Sequence, residues 1–238
     1  MRPGTKLRWH ALKPFLMDEI APGAVIFDIG AFDGNLSYLL SKRIPKLNIT
    51  VIDKNKSGVK KAKALGLNAV YGSALDVPLQ SKSADIVLCL DILEHIREDN
   101  IVVREISRLL KSDGKYLLTT PMAQGISFPF LNKEKNLAIN SGWGHIRLGY
   151  TIRDLCQLLN ENRLQIQKTS GYFNTLSRFV YRLAFISRVA YPFRSIFSTT
   201  AFMVEPYLKH GVQEHIIIGD KSDKPEFYPQ YVTAQKKE

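Results

Sequence analysis

The chain has 238 residues, 45% of them hydrophobic and 23% charged, with a formal net charge of +11. That balance excludes a disordered chain and leaves length for one large domain or two small ones. Two cysteines, Cys89 and Cys156, exclude a disulfide scaffold and a four-cysteine zinc site. They are expected to be reduced and buried, in a cytoplasmic protein. No run of 18 apolar residues is present, and residues 1–13 lack the apolar core of a secretory signal, so neither a spanning helix nor a leader is expected. The basic excess suits nucleic acid, an anionic membrane or an acidic substrate and does not choose among them.

Residues 7–20 read as a helix, with Leu12, Phe15, Leu16 and Ile20 at helical spacing, broken by Pro22-Gly23. Residues 25–29 form an apolar run of the kind covered on both faces of a sheet. After Gly34 a helix carries Leu36, Leu39 and Leu40. Residues 48–52 form a second strand, and 56–65 a helix with a lysine face (Lys56, Lys60, Lys63) ended by Gly66. Residues 69–71 and 85–90 are further strands. A helix over 101–110 and the Asp113-Gly114 turn lead into a strand over 115–120. Residues 122–150 form a long connection holding Phe128, Phe130 and Trp143. Thr151 caps a helix over 151–160, with Asp154 in its first turn. Residues 164–168 and 214–218 are two more strands, with a basic, aromatic helical segment between them. A polar tail is expected over 221–238.

Strands alternating with helices imply βαβ units, right-handed crossovers and a doubly wound, mostly parallel sheet. Ligands of such sheets bind beyond the carboxyl ends of the strands. The loops after Asp28, Ile52, Tyr71 and Leu90 should therefore line one site.

The strongest local signal is Asp28-Ile29-Gly30-Ala31-Phe32-Asp33-Gly34, which follows a strand and opens a helix. Gly30 permits a tight turn and close ligand approach, and Gly34 lets the helix start beside the strand. Asp53, nineteen residues beyond Gly34 at the end of the next strand, can accept from both hydroxyls of a ribose. Together they point to a nucleoside-containing cofactor. A dinucleotide fingerprint needs a glycine where Phe32 stands, which disfavours a nicotinamide-dependent oxidoreductase.

These residues resemble a known family. Residues 25–34, Val51-Ile52-Asp53, Gly72-Ser73-Ala74-Leu75-Asp76-Val77-Pro78, Ala84-Asp85-Ile86-Val87, Asp91-Ile92-Leu93-Glu94-His95-Ile96 and 109–121 follow one another as in class I S-adenosylmethionine-dependent methyltransferases of the branch with a Leu-Glu-His element. The stretch 145–159 is similar too. The resemblance is good over about 1–170 and weak beyond. It implies a Rossmann-like, doubly wound seven-stranded sheet, mostly parallel with an antiparallel last strand, and a helical insertion before that strand. It also implies one methyltransferase domain over 1–220 that uses S-adenosyl-L-methionine. Asp28, Gly30, Ala31 and Gly34 would surround its methionine part. Asp53 would hold the ribose and Lys54 would flank the adenine. Ser73 and Ala74 would meet the adenine edge, and Leu90 and Asp91 the methionyl end. Phe32 and Ser73 depart from the family's usual residues.

For the chemistry, a hydroxyl or amine acceptor can need a base. His145, in Trp143-Gly144-His145-Ile146-Arg147, is one candidate, with Tyr150 near it, and His95 beside Glu94 is another. Both also read as structural: His145 as a loop histidine packed on Trp143, Glu94-His95 as a shaping element of the pocket. Asp85 reads as a strand residue that stabilises the fold. No His/Cys/Asp run has metal-ligand spacing, so no metal is expected.

Residues 162–204 contain no acid. Within them Leu176, Phe179, Val180, Leu183 and Ile186 form an apolar stripe, with Arg178 and Arg182 four apart. This insertion, about 172–210, reads either as a lid with solvated arginines or as a basic helix (173–194) lying on an anionic membrane. The expected activity is methyl transfer to a small-molecule, sugar or lipid-linked acceptor at oxygen. An RNA-modifying methyltransferase is the alternative, disfavoured because no RNA-binding module or aromatic sheet platform is visible.

Overall fold

The computed structural model describes residues 3–186, 199–207 and 210–222. In chain order they form α1 (Pro3–Glu19), β1 (Val25–Ile29), α2 (Asn35–Ser41), β2 (Asn48–Asp53), α3 (Lys56–Ala64), β3 (Asn68–Tyr71) and β4 (Ala84–Leu90). A 3₁₀ turn (Leu93–His95), α4 (Asp99–Leu109), β5 (Leu110–Pro121), α5 (Lys133–Gly142) and α6 (Ile152–Asn160) follow. The series closes with β6 (Leu164–Tyr172), α7 (Thr175–Ile186), a second 3₁₀ turn (Glu205–Tyr207) and β7 (Glu214–Lys221).

The strands make one seven-stranded sheet in the order β3-β2-β1-β4-β5-β7-β6. β7 runs antiparallel to both of its neighbours, and the other ladders are parallel. The expected sheet, with its antiparallel last strand and a helix inserted before it, is the one observed. The order reverses at β1 and β4, whose carboxyl ends open the crevice.

Side chains alternate across the sheet, so neighbouring residues feed opposite layers. Phe27, Leu118 and Ile217 face a layer built by α4 and α6 through Val102, Ile106, Leu155 and Leu159. Ile26, Leu117 and Ile216 face the layer of α1 and α2 through Leu12, Leu16, Leu36 and Leu40. Truncating one such fully buried leucine to alanine costs about 2–5 kcal/mol. Helix α6 starts where expected: the Thr151 hydroxyl accepts from Asp154 N at 3.1 Å, and the Asp154 carboxylate accepts from Thr151 N at 3.1 Å.

Several expectations change. β5 begins at Leu110 rather than Lys115, because Leu110 pairs with Ala84 ahead of a bulge between Ala84 and Ile86. The connection 122–150 holds α5, a mostly polar helix capped by Asn132, whose side chain accepts from Lys135 N. Arg178 is neither solvated nor available to a membrane. It is 7% exposed, and its guanidinium donates to Ser127 O, to Thr175 Oγ1 at 3.2 Å and to Gly211 O at 2.9 Å. Arg188, Tyr191, Arg194, the side chains of Leu183 and Ile186, and the tail from 223 onward lie outside the described residues.

Candidate active site

Gly30 ends β1 with φ +74°, and its N–H donates to Ile52 O at 2.7 Å, which draws the turn down onto β2. A Cβ at Gly30 would clash with the Ile92 side chain, and one at Gly34 (φ +67°) would meet Leu67 at 2.8 Å and Ala62 at 3.1 Å. Both glycines therefore allow close packing as well as the turn. Asp53 closes β2. Its carboxylate accepts from Phe32 N at 2.6 Å and Asn55 N at 2.7 Å, which braces the glycine turn against the start of α3.

A cavity of about 310 Å³ opens beside this turn, lined by Gly30, Asp53, Lys54, Ser73 and Ala74, with Ile92 and Ile96 across from them. It is of the size that small-ligand sites commonly have. Asp28, Ala31, Gly34 and Leu90 line neither this cavity nor the one described next. Asp28 is buried and accepts from Ser37 Oγ at 2.6 Å. Burial pushes its pKa up to about 7, with Ser37 and Arg8 opposing. Asp85 accepts from Val25 N and Lys111 Nζ at the far end of the sheet, a structural role.

A second cavity, about 240 Å³, lies over the ends of β4, β5 and β7 and shares His95 with the first. Asp91 sits at its base with φ +54°, a conformation that costs a non-glycine residue energy. Thr119 Oγ1 donates to Asp91, Arg8 of α1 forms an ion pair with it, and Tyr172 Oη lies 3.4 Å from both carboxylate oxygens. Burial works against the charge on Arg8, yet Asp91 and Tyr172 hold it protonated more firmly than usual. Trp143, Phe173 and Tyr181 supply aromatic walls, with Tyr181 and Phe173 edge to face at 5.4 Å.

The two candidate histidines meet here. Their rings lie 4.9 Å apart, edge to face, and His145 also tilts against Trp143 at 5.8 Å. The loop carrying His145 is tied to the turn carrying His95. Ile146 N donates to Glu94 O at 2.9 Å, and Arg147 donates to Ile96 O and Arg97 O while pairing with Asp99. Tyr150 belongs to this tie, donating to Asp99 Oδ2 at 2.7 Å. Burial, helped by His95, lowers the His145 pKa to about 4, and burial next to Asp91 raises that of Glu94 to about 8. Burial raises Glu214 well above the usual carboxyl range as well.

Arg8, Tyr172 and Glu214 escaped the sequence reading. The usable signal was topological. An antiparallel β7 pairs Glu214 with Pro121, and β6 pairs Tyr172 with Glu214, so both land at the ligand edge of the sheet. Arg8 carries no such signal. Three buried polar atoms in this cavity, Arg8 Nε, Glu214 Oε2 and His145 Nδ1, have no protein partner. Such atoms are completed by water or by a polar ligand.

Residues 27–118 match the family described as "Methyltransferase domain". A ubiquinone biosynthesis O-methyltransferase of Xanthomonas oryzae pv. oryzae is 33% identical over 125 residues, 47% of this chain and 51% of that protein. The match thus spans about half the length of that relative. A second protein of that name, from Xanthomonas campestris pv. campestris, is 29% identical over 182 residues, 68% of this chain and 73% of the other. The fold is also that of geranyl diphosphate C-methyltransferase from Streptomyces coelicolor A3(2). That match has a TM-score of 0.65 and 16% identity and covers 89% of this chain and 75% of that one.

Proposed function

We propose that the chain, whose residues 27–118 match a methyltransferase domain, transfers a methyl group from S-adenosyl-L-methionine to a hydroxyl oxygen of a small-molecule, sugar or lipid-linked acceptor. The observation that carries this reading is the pairing of two cavities across His95: one bounded by a glycine turn and an acid, the other by aromatic and titratable side chains. In it, Asp53 takes the ribose hydroxyls, Lys54, Ser73 and Ala74 border the adenine, and Gly30 lets the chain pass close to the ligand. Asp28, Ala31, Gly34 and Leu90 support that end from behind. Asp91 and Arg8 face the methionyl end, where a guanidinium with an unused Nε suits a carboxylate. The orphaned polar atoms of the second cavity fit a polar group bound there.

Held in the first cavity, S-adenosyl-L-methionine would supply a methyl group already activated on a sulfonium, so the protein's task is to position it and the acceptor and to handle the acceptor's proton. Aromatic walls shield one side of the second cavity from water. His95 and His145 are the groups placed to handle the proton of the hydroxyl, and the lowered pKa of His145 keeps it neutral at physiological pH. The names of the relatives, O-methyltransferases, support oxygen as the atom methylated.

Calorimetry with S-adenosylmethionine, S-adenosylhomocysteine and NADH tests the reading: the first two bind and NADH does not. A wild type that prefers NADH overturns it.

We further propose that the acceptor is met at a membrane surface. Phe130 is 92% exposed, and with Leu176 and Phe179 it forms an apolar groove on the outer side of α7. Among the described residues no helix is long and apolar enough to cross a membrane, so contact would be peripheral. Co-sedimentation with anionic vesicles should fall in the Phe130→Ser/Phe179→Ser variant. Unchanged sedimentation would remove the membrane from the proposal.

A further inference from the structure

Glu94 and His95 are neighbours on the turn after β4, and His145 lies fifty residues on, after α5. The fold brings one ligand atom from each to within 4.8 Å of the others. His95 Nδ1 lies 3.1 Å from Gly144 O. A carbonyl can only accept, so Nδ1 carries the hydrogen and Nε2 keeps its lone pair. That bare nitrogen faces the carboxyl of Glu94, with Nε2 3.8 Å from Oε1. The Glu94 side chain is 1% exposed, and its side-chain contact is a long one, 3.4 Å, from the Thr120 hydroxyl to Oε2. His145 Nδ1 is buried without a partner. Three possible ligand atoms thus converge: the bare Nε2 of His95, the Glu94 carboxyl and a nitrogen of His145. A proton shared between Glu94 and His95 leaves the buried His145 Nδ1 without a partner, whereas a cation engages all three side chains.

We propose that Glu94, His95 and His145 bind one first-row divalent transition-metal ion, such as Zn²⁺ or Mn²⁺, at the junction of the two cavities. Two imidazoles and one carboxylate are a borderline donor set, better suited to these ions than to Mg²⁺, which prefers oxygen throughout. Three protein ligands also leave a coordination position for a substrate, as catalytic sites require. The hydrogen bond from His95 Nδ1 to Gly144 O is the outer contact that fixes a ligating imidazole's tautomer and ring plane. The Arg147 tie holds the loop that delivers His145. This deepens the proposed hydroxyl methylation and rests on it for its purpose. A coordinated hydroxyl gives up its proton to water more readily, and the resulting oxygen attacks the methyl carbon as the carbon–sulfur bond breaks. The two histidines then act through the ion, as its ligands.

The test uses the metal alone. Calorimetric titration of the wild-type chain, stripped with chelator, should show one Zn²⁺ per chain and weaker Mn²⁺, following the general affinity order. Glu94→Gln and His145→Ala should each weaken Zn²⁺ by at least about tenfold, the loss typical even of an outer-shell partner. His210→Ala, outside both cavities, should bind as the wild type does. Zn²⁺ should raise the melting temperature of the wild type and His210→Ala and not of the other two, which also shows whether those variants fold. If Glu94→Gln or His145→Ala does not fold, the Mn²⁺ resonance spectrum of the wild type must show nitrogen ligation, or the site is rejected. No stoichiometric wild-type binding, or equal binding by all variants, overturns the proposal. Cofactor calorimetry on the same samples separates the two readings: a chain that binds cofactor and no ion keeps the methyltransferase reading and loses the metal site. One that binds the ion and no cofactor does the reverse.

Discussion

The two sides of the active-site crevice are built differently. The side from β1 to β3 is a run of parallel βα units, each contributing its own loop to the nucleoside cavity, with Gly30, Asp53 and Ser73 at successive strand ends. The acceptor side is assembled from distant pieces: His95 after β4, His145 after α5, Tyr172 from β6 and Glu214 from β7. The first kind of site is set by local rules repeated along the chain. The second exists only once the whole sheet has formed. Cofactor binding and turnover should therefore respond separately to substitution.

The sharpest contrast comes from His145→Gln. Turnover should fall by about 10²–10⁴, the range for loss of a proton-handling group, while S-adenosylhomocysteine binds unchanged. A parallel loss of cofactor affinity would break the division. Asp53→Ala should do the opposite, weakening cofactor binding by about 10–100-fold, as expected for hydrogen bonds to a charged acceptor, when measured by calorimetry. Next in size is Arg178→Ala. It removes a buried guanidinium and strands the carbonyls of Ser127 and Gly211, so the thermal midpoint should report a loss of about 1–3 kcal/mol, with cofactor affinity unchanged.

Asp28→Asn probes the supporting layer of the nucleoside side. The folded-state pKa of Asp28, about 7, lies above its unfolded value, so between about pH 4 and 7 the folded chain keeps a proton that the unfolded chain has lost. Stability should fall as pH rises through that window, and a series of urea melts should show a shallower fall in the variant. The smallest effect belongs to Phe179→Ser. Its side chain is 39% exposed, so stability should move by less than about 0.5 kcal/mol, and only vesicle binding should change.

The same asymmetry decided what could be read from the sequence. On the nucleoside side β1 (Val25–Ile29) was placed to the residue and β2 and β3 to within one residue, because apolar strands, glycine stops and an acid at a strand end are local signals. Asp53 was legible for that reason. On the acceptor side the sequence does not place α5 within the long connection: Lys133–Gly142 offers few apolar residues, and its hydrogen bonds to the rest run through Asn136 and Asn140. The sequence marks β6 only to Lys168, because its polar half, through Ser170 and Gly171, carries no apolar alternation and is held instead by its ladder with β7. His145 stands out in the sequence as a histidine of the long connection expected to close over the acceptor, but nothing in the spacing of residues 94, 95 and 145 announces their meeting.

The acceptor cavity is lined by both Gly4 and Glu214, residues 210 positions apart. Contacts of such separation are late to form, because a long loop must close before they hold. During refolding from denaturant, the capacity to bind a nucleoside should thus return ahead of catalytic competence, and the interval between them would time the docking of β7 onto β5.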